Sequence, residues 1–122
     1  MKIDISADNE SADADLEHFV RSRVNFAFGN RKGRVARVAV QLSALEAGEK
    51  ADKYCQVRVT LTRQPDLAVE VIDSNIYVAI HRAVDRAGWE VSRRLTREYR
   101  DTGVSRVNGK LALKPDESEQ AA

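Results

Sequence analysis

Cysteine occurs once in this sequence, proline twice and tryptophan once, and no apolar run approaches the length of a membrane span. The lone Cys55 excludes an internal disulfide, which suits a reducing compartment. A bilayer-crossing helix needs roughly 20 consecutive apolar residues, so no membrane partner is expected. The opening MKIDISADNES lacks the apolar core of a secretory signal, and a cytoplasmic location is the expectation. Charge of one sign is missing too. Twenty basic and 19 acidic side chains leave a net charge of +1, so whole-molecule charge points to no partner. The constellations of chemistry are equally absent. Nucleophilic catalysis needs a base beside the nucleophile, and no spacing brings His18 or His81 to Cys55. No His/Cys cluster has zinc-like spacing, and Asp4, Asp8, Glu10, Asp13 and Asp15 lack the glycine-turned loop of a calcium site. Gly29, Gly33 and Gly48 do not form a phosphate loop. No catalytic residue, metal, cofactor or small-molecule substrate is therefore expected, and the chain reads as a non-enzyme.

What is present is ordinary globular material: 43% hydrophobic and 32% charged residues in a chain of 122, enough for one core. Lys2–Ser6 alternates polar and apolar like a half-buried strand. Ser11, Asp13 and Asp15 are N-cap candidates and first-turn acids for a helix over about residues 13–28, with Leu16, Phe19, Val20, Val24 and Ala27 at helical spacing. Gly29 ends it. From Arg34 the period falls to two, placing Val38, Val40 and Leu42 inward and Arg37, Ala39 and Gln41 outward. A loop is expected over SALEAGEKAD, then a second alternating run with Cys55, Val57, Val59 and Leu61 inward. Gln64-Pro65-Asp66 reads as a turn before a third run carrying Leu67, Val69 and Val71. Asp73 or Ser74 can cap a last helix from about Asn75 to Arg100. The expected fold is α+β, in the order β-α-β-β-β-α, with two helices packed on one face of a four-stranded sheet. One domain spans residues 1–100. Residues 101–122 form a tail with an Asn-Gly hairpin signal at Asn108-Gly109, ending in KPDESEQAA, which has too little apolar surface to fold.

Charge is distributed unevenly. Residues 31–65 carry eight basic and three acidic side chains. The last helix carries six arginines, Arg82, Arg86, Arg93, Arg94, Arg97 and Arg100. At about 100° per residue, five fall within about 60° of arc: Arg82 and Arg100 at 0°, Arg93 near 20°, Arg86 near 40° and Arg97 near 60°. Ile76, Tyr77, Ile80, Ala83, Val84, Ala87, Val91 and Leu95 form a separate apolar arc, and Trp89 borders the arginine stripe. A solvated helix face could carry the same residues, with Asp85, Glu90 and Glu98 as helical-neighbour partners. Against that reading, no acid lies inside the stripe, and aligned arginines repel one another unless an anion approaches. Guanidinium forks also suit phosphate. Arg31, Lys32, Arg34 and Arg37 form a second basic cluster, for which turn solubility suffices. Arg21 and Arg23 point in different directions on the first helix, and Arg37 and Arg58 lie on the sheet's outer face.

The KIDIS opening, the VARVAVQLS and DKYCQVRVTL strands, and the junction DSNIYVAIHRAVDR together resemble the ribosome hibernation promoting factor family. That family is also called ribosome-associated inhibitor A or sigma-54 modulation protein, and the likeness is to its short form, over roughly residues 1–100. The resemblance implies a non-enzymatic inhibitor of translation that binds the small ribosomal subunit and its rRNA in the decoding channel under stress or in stationary phase. Carried over by position, it assigns RNA contacts to Arg82, Arg86, Arg93, Arg94 and Arg97, with Arg21 or Arg23 opposite and Arg31 and Lys32 as looser matches. Arg100 joins them through the stripe. Asn75 and His81 stand where the family usually has acids, and residues 101–122 are too few for the long members' ribosome-pairing domain. Two alternatives share the fold: a protein-interaction module whose arginines face solvent, and a general double-stranded RNA binder.

Overall fold

In the computed structural model, residues 1–8, 13–47 and 50–102 are described. The elements are β1 (Lys2–Asp8), α1 (Ala14–Phe28), a short 3-10 turn (Gly29–Arg31), β2 (Val35–Ala47), β3 (Lys50–Leu61), β4 (Leu67–Asp73) and α2 (Ile76–Thr102). The α+β order β-α-β-β-β-α expected from the sequence is the one observed. The chain divides into two compact parts, residues 1–88 and the segment from Trp89 onward.

Within the first part the sheet has strand order β1-β2-β3-β4. β2, β3 and β4 form an antiparallel meander, with Val40 opposite Val57 and Val57 opposite Val69. β1 instead pairs parallel to β2, in the register Ile3 to Val38 and Ile5 to Val40. A parallel neighbour needs a long crossover, and α1 supplies it. Alternation does the rest. Val38, Val40, Leu42, Cys55, Val57, Val59, Leu61, Leu67, Val69 and Val71 are buried on one face, beneath the helices. Covering a side chain of Val or Leu size stabilises the fold by about 1.5–3 kcal/mol before entropy is counted. The opposite face carries polar pairs: Arg37 with Asp4, Gln41 with Asp8, and Tyr54 and Gln56 both donating to Glu70. Arg58 is exposed on this face.

Three local features depart from simple periodicity. Val35 and Val38 are both fully buried although three apart, because the β2–β3 register shifts between Val35 and Arg37; one bulged residue turns the strand over. The expected loop over residues 43–52 is mostly strand. Ala44 to Ala47 pair with Lys53 to Lys50, while β1 stops at Ser43 and β4 at Lys53, so this end is a two-stranded ribbon. Hairpin hydrogen bonding outweighs the low strand propensity of Ala, Glu and Lys there. The turn between β3 and β4 opens with Arg63 in the left-handed region, at φ 63°.

Asp13 caps α1 by accepting a hydrogen bond from the Leu16 amide at 2.8 Å, and Leu16, Val20, Val24 and Phe28 are buried below it. The two helices meet at small residues. A Cβ on Gly88 would lie 3.3 Å from the Ala27 Cβ, which explains the one helix-breaking residue in α2. Nearer their starts, Phe19 and Tyr77 meet edge to face, centroids 5.0 Å apart. The hairpin signal at Asn108-Gly109 and the rest of the tail lie outside the described residues.

Candidate nucleic-acid interface

The start of α2 is fixed by two polar side chains, Asp73 and Asn75. Asn75, rather than Asp73 or Ser74, is the N-cap: its Oδ1 accepts from the Tyr77 amide at 2.8 Å and the Val78 amide at 3.4 Å. Asp73 supports it by accepting from the Asn75 amide at 3.0 Å. An Asp-Ser-Asn run offers three candidate caps, and only backbone geometry selects among them.

From there the apolar positions set the helix's rotation. Ala79, Ile80, Ala83, Val84 and Ala87 are fully buried, which leaves Arg82 and Arg86 exposed. Ile76 and Tyr77, expected on the buried arc, are half-buried and 41% exposed. They occupy the first helical turn, where Tyr77 rests edge-on against Phe19 instead of entering the core. In the second part of the chain Val91 and Leu95 are the buried positions, and Arg93, Arg97 and Arg100 are exposed. Arg94, about 120° from Arg82 by helical arithmetic, is half-buried.

Not all of these cations are free of acids. Arg82 pairs with Asp73 at 3.4 Å, and Glu90 holds both Arg93 and Arg94 at 3.6 Å. Helical spacing foresees the Glu90 contacts; the Arg82–Asp73 pair depends on where the cap folds back. Such partly exposed pairs are worth at most about 1 kcal/mol. Among the described residues no carboxylate pairs with Arg86, Arg97 or Arg100. Trp89, at the border of the arginine stripe, is 62% exposed, although tryptophan is more often partly packed. The Arg93 guanidinium lies over its ring, 5.1 Å from the centroid. With Ser92, Thr96, Arg97 and Arg100 these two line a shallow groove of about 380 Å³.

The remaining candidates separate. On α1, Arg21 is exposed, whereas Arg23 is half-buried, with its guanidinium 5.1 Å from the centroid of the exposed Phe26 and its Nε buried without a hydrogen-bond partner. Lys32 is exposed and Arg31 half-buried. Arg34 is a structural staple: its Nε donates to Thr62 Oγ1 at 3.0 Å and its terminal nitrogen to the Thr62 carbonyl at 2.9 Å. Arg37 is held by Asp4. The second basic cluster is thus divided between the sheet and the solvent. Cys55 is buried in β3, and burial pushes its thiol up to about 12, far from a nucleophile's range. Among the described residues no three His, Cys, Asp or Glu side chains converge on a metal site, and no helix is long and apolar enough to cross a membrane.

A four-stranded sheet with two helices, one of them carrying exposed arginines, defines the α+β class of the fold. Residues 3–98 match the family model described as Sigma 54 modulation protein / S30EA ribosomal protein, and the chain belongs to that family. Membership gives it a ribosome-related role and sets it apart from enzyme families. Among solved structures it is similar to the Protein Y N-terminal domain of Thermus thermophilus, with 26% identity and a TM-score of 0.66, over 77% of this chain and 99% of that one. A ribosomal subunit interface protein from Coxiella burnetii shares the fold at a TM-score of 0.68 and 8% identity, covering 79% of this chain and 99% of its own. Among curated protein sequences none matches.

Proposed function

We propose that this protein is a cytoplasmic translation inhibitor that occupies the decoding channel of the small ribosomal subunit under stress or in stationary phase. It acts as one domain over residues 1–100. Arg82 and Arg86 in the first part of the chain, and Arg93, Arg97 and Arg100 in the second, hold rRNA phosphates. Arg94, Arg21, Arg23, Arg31 and Lys32 are the further candidates for RNA contacts. The observation that carries this reading is that Arg86, Arg97 and Arg100 are exposed with no carboxylate partner among the described residues, in a member of a ribosome-associated family. Phosphate contacts position a protein without reading sequence, so recognition rests on shape, and translation stops because the channel is filled.

Each phosphate neutralised releases counterions, so five contacts give log affinity a slope of about −4 against log salt. Binding then weakens by about two orders of magnitude between 50 and 200 mM salt. The test is sedimentation of the native chain and of the triple variant Arg86→Glu, Arg93→Glu, Arg97→Glu with small subunits. The wild type is expected in the subunit fraction at low salt and free at high salt. The triple variant is expected free throughout with an unchanged circular dichroism spectrum. A folded triple variant that sediments like the wild type overturns the proposal, and so does salt-insensitive binding.

A further inference from the structure

We infer that the groove around Trp89 is a seat for one unpaired RNA nucleotide, whose base stacks on the indole while Arg97 and Arg100 take the adjoining phosphates. This deepens the RNA-binding reading and rests on it: a helix studded with arginines would serve any polyanion, whereas this segment has an additional component. An indole 62% exposed on a polar helix face forgoes burial for no gain to the fold. Arg93 lies over the ring at 5.1 Å and steadies its orientation, while the exposed remainder is open to a second flat partner. All six groove-lining residues come from Trp89–Arg100, and none is acidic. The Ser92 and Thr96 hydroxyls supply groups of the kind that bond to a ribose hydroxyl or a base edge. Neither Arg97 nor Arg100 is paired with a carboxylate among the described residues.

Aromatic ring, flanking hydroxyls and unpaired cations on successive helical turns are the components by which single-stranded nucleic acid is held. A base still stacked inside a duplex presents no free face to the indole. The occupant is therefore a splayed nucleotide from a loop, bulge or strand end, and not a regular duplex.

Trp89 is the only tryptophan in the chain, so its fluorescence reports on this seat alone. The experiment titrates the full chain with a single-stranded eight-nucleotide RNA, a duplex RNA of the same length, and polyglutamate. In parallel, anisotropy of a labelled single strand measures binding by the W89A, W89F and R97Q/R100Q variants across a salt series. Expected are saturable quenching by the single strand only and affinity about tenfold weaker in W89A. W89F should retain most of the wild-type affinity. The salt slope should be unchanged in W89A and shallower by about 1.4 in R97Q/R100Q, since each single-strand phosphate contact contributes roughly 0.7. Equal quenching by duplex or by polyglutamate, no quenching, or an unchanged affinity in W89A overturns the inference. Ribosome co-sedimentation keeps the two proposals apart. A wild type that sediments with subunits but shows no quenching loses the nucleotide seat and keeps its function; quenching without co-sedimentation does the reverse.

Discussion

Cys55 shows how far a single position can be followed from sequence to behaviour. Its place in an alternating run assigns it to the core, and it is fully buried opposite Leu42 and Val71. Burial raises its thiol from 9.0 to about 12. The folded state then holds a proton that the unfolded chain releases above about pH 9, so this residue lowers stability as pH climbs from there toward 12. Denaturant midpoints measured from pH 8 to 11 should fall less steeply in Cys55→Ala than in the wild type, although that variant starts lower because it leaves a cavity. An alkylating reagent at pH 8 should label the native chain only at the rate of unfolding. Labelling at the rate of a free thiol would mean the strand is open. Polar residues were less legible than this apolar one. Tyr77 sits where a helical wheel allows burial and is 41% exposed, because the wheel shows which side a residue is on but not how far the covering surface extends; Trp89, bordering the arginine stripe, is exposed as its angle indicates.

Among the elements, α2 is the best read in outline, and its details came from contacts that no periodicity contains. Its length and arginine spacing follow from the sequence; its cap, and the diversion of Arg82 to Asp73, follow from the fold of the preceding strand's end. Gly88 is the instructive position. Alone it costs the helix about 1 kcal/mol relative to alanine, yet a Cβ there would press against Ala27 at 3.3 Å. Gly88→Ala should consequently be close to neutral, the gain in helix propensity offset by the shift Ala27 must make. Gly88→Leu forces α1 and α2 apart and should destabilise by about 1–3 kcal/mol, read from urea unfolding. The residue 43–52 stretch illustrates the opposite error. A polar, glycine-containing segment reads as a loop, but strand pairing across a hairpin is made by backbone hydrogen bonds and needs no apolar side chains, so composition conceals the ribbon.

At the scale of the whole molecule, the antiparallel meander and the parallel first strand differ in how they are held. β2, β3, β4 and α2 follow one another along the chain, whereas Lys2 finds Arg37 only after α1 has folded back. Ile3 and Ile5 are half-buried, in contrast to the fully buried valines they face. The N-terminal strand is therefore the latest to join and the first to leave, since its pairing closes the longest loop for the smallest apolar return. Amide hydrogen exchange should show β1 protons lost through a local opening well before those of β3, at a rate little affected by mild denaturant. When β1 detaches, the outer edge of β2 becomes a row of unsatisfied backbone donors and acceptors, able to recruit a foreign strand. Crowded storage at raised temperature would then favour assembly of the chain through that edge.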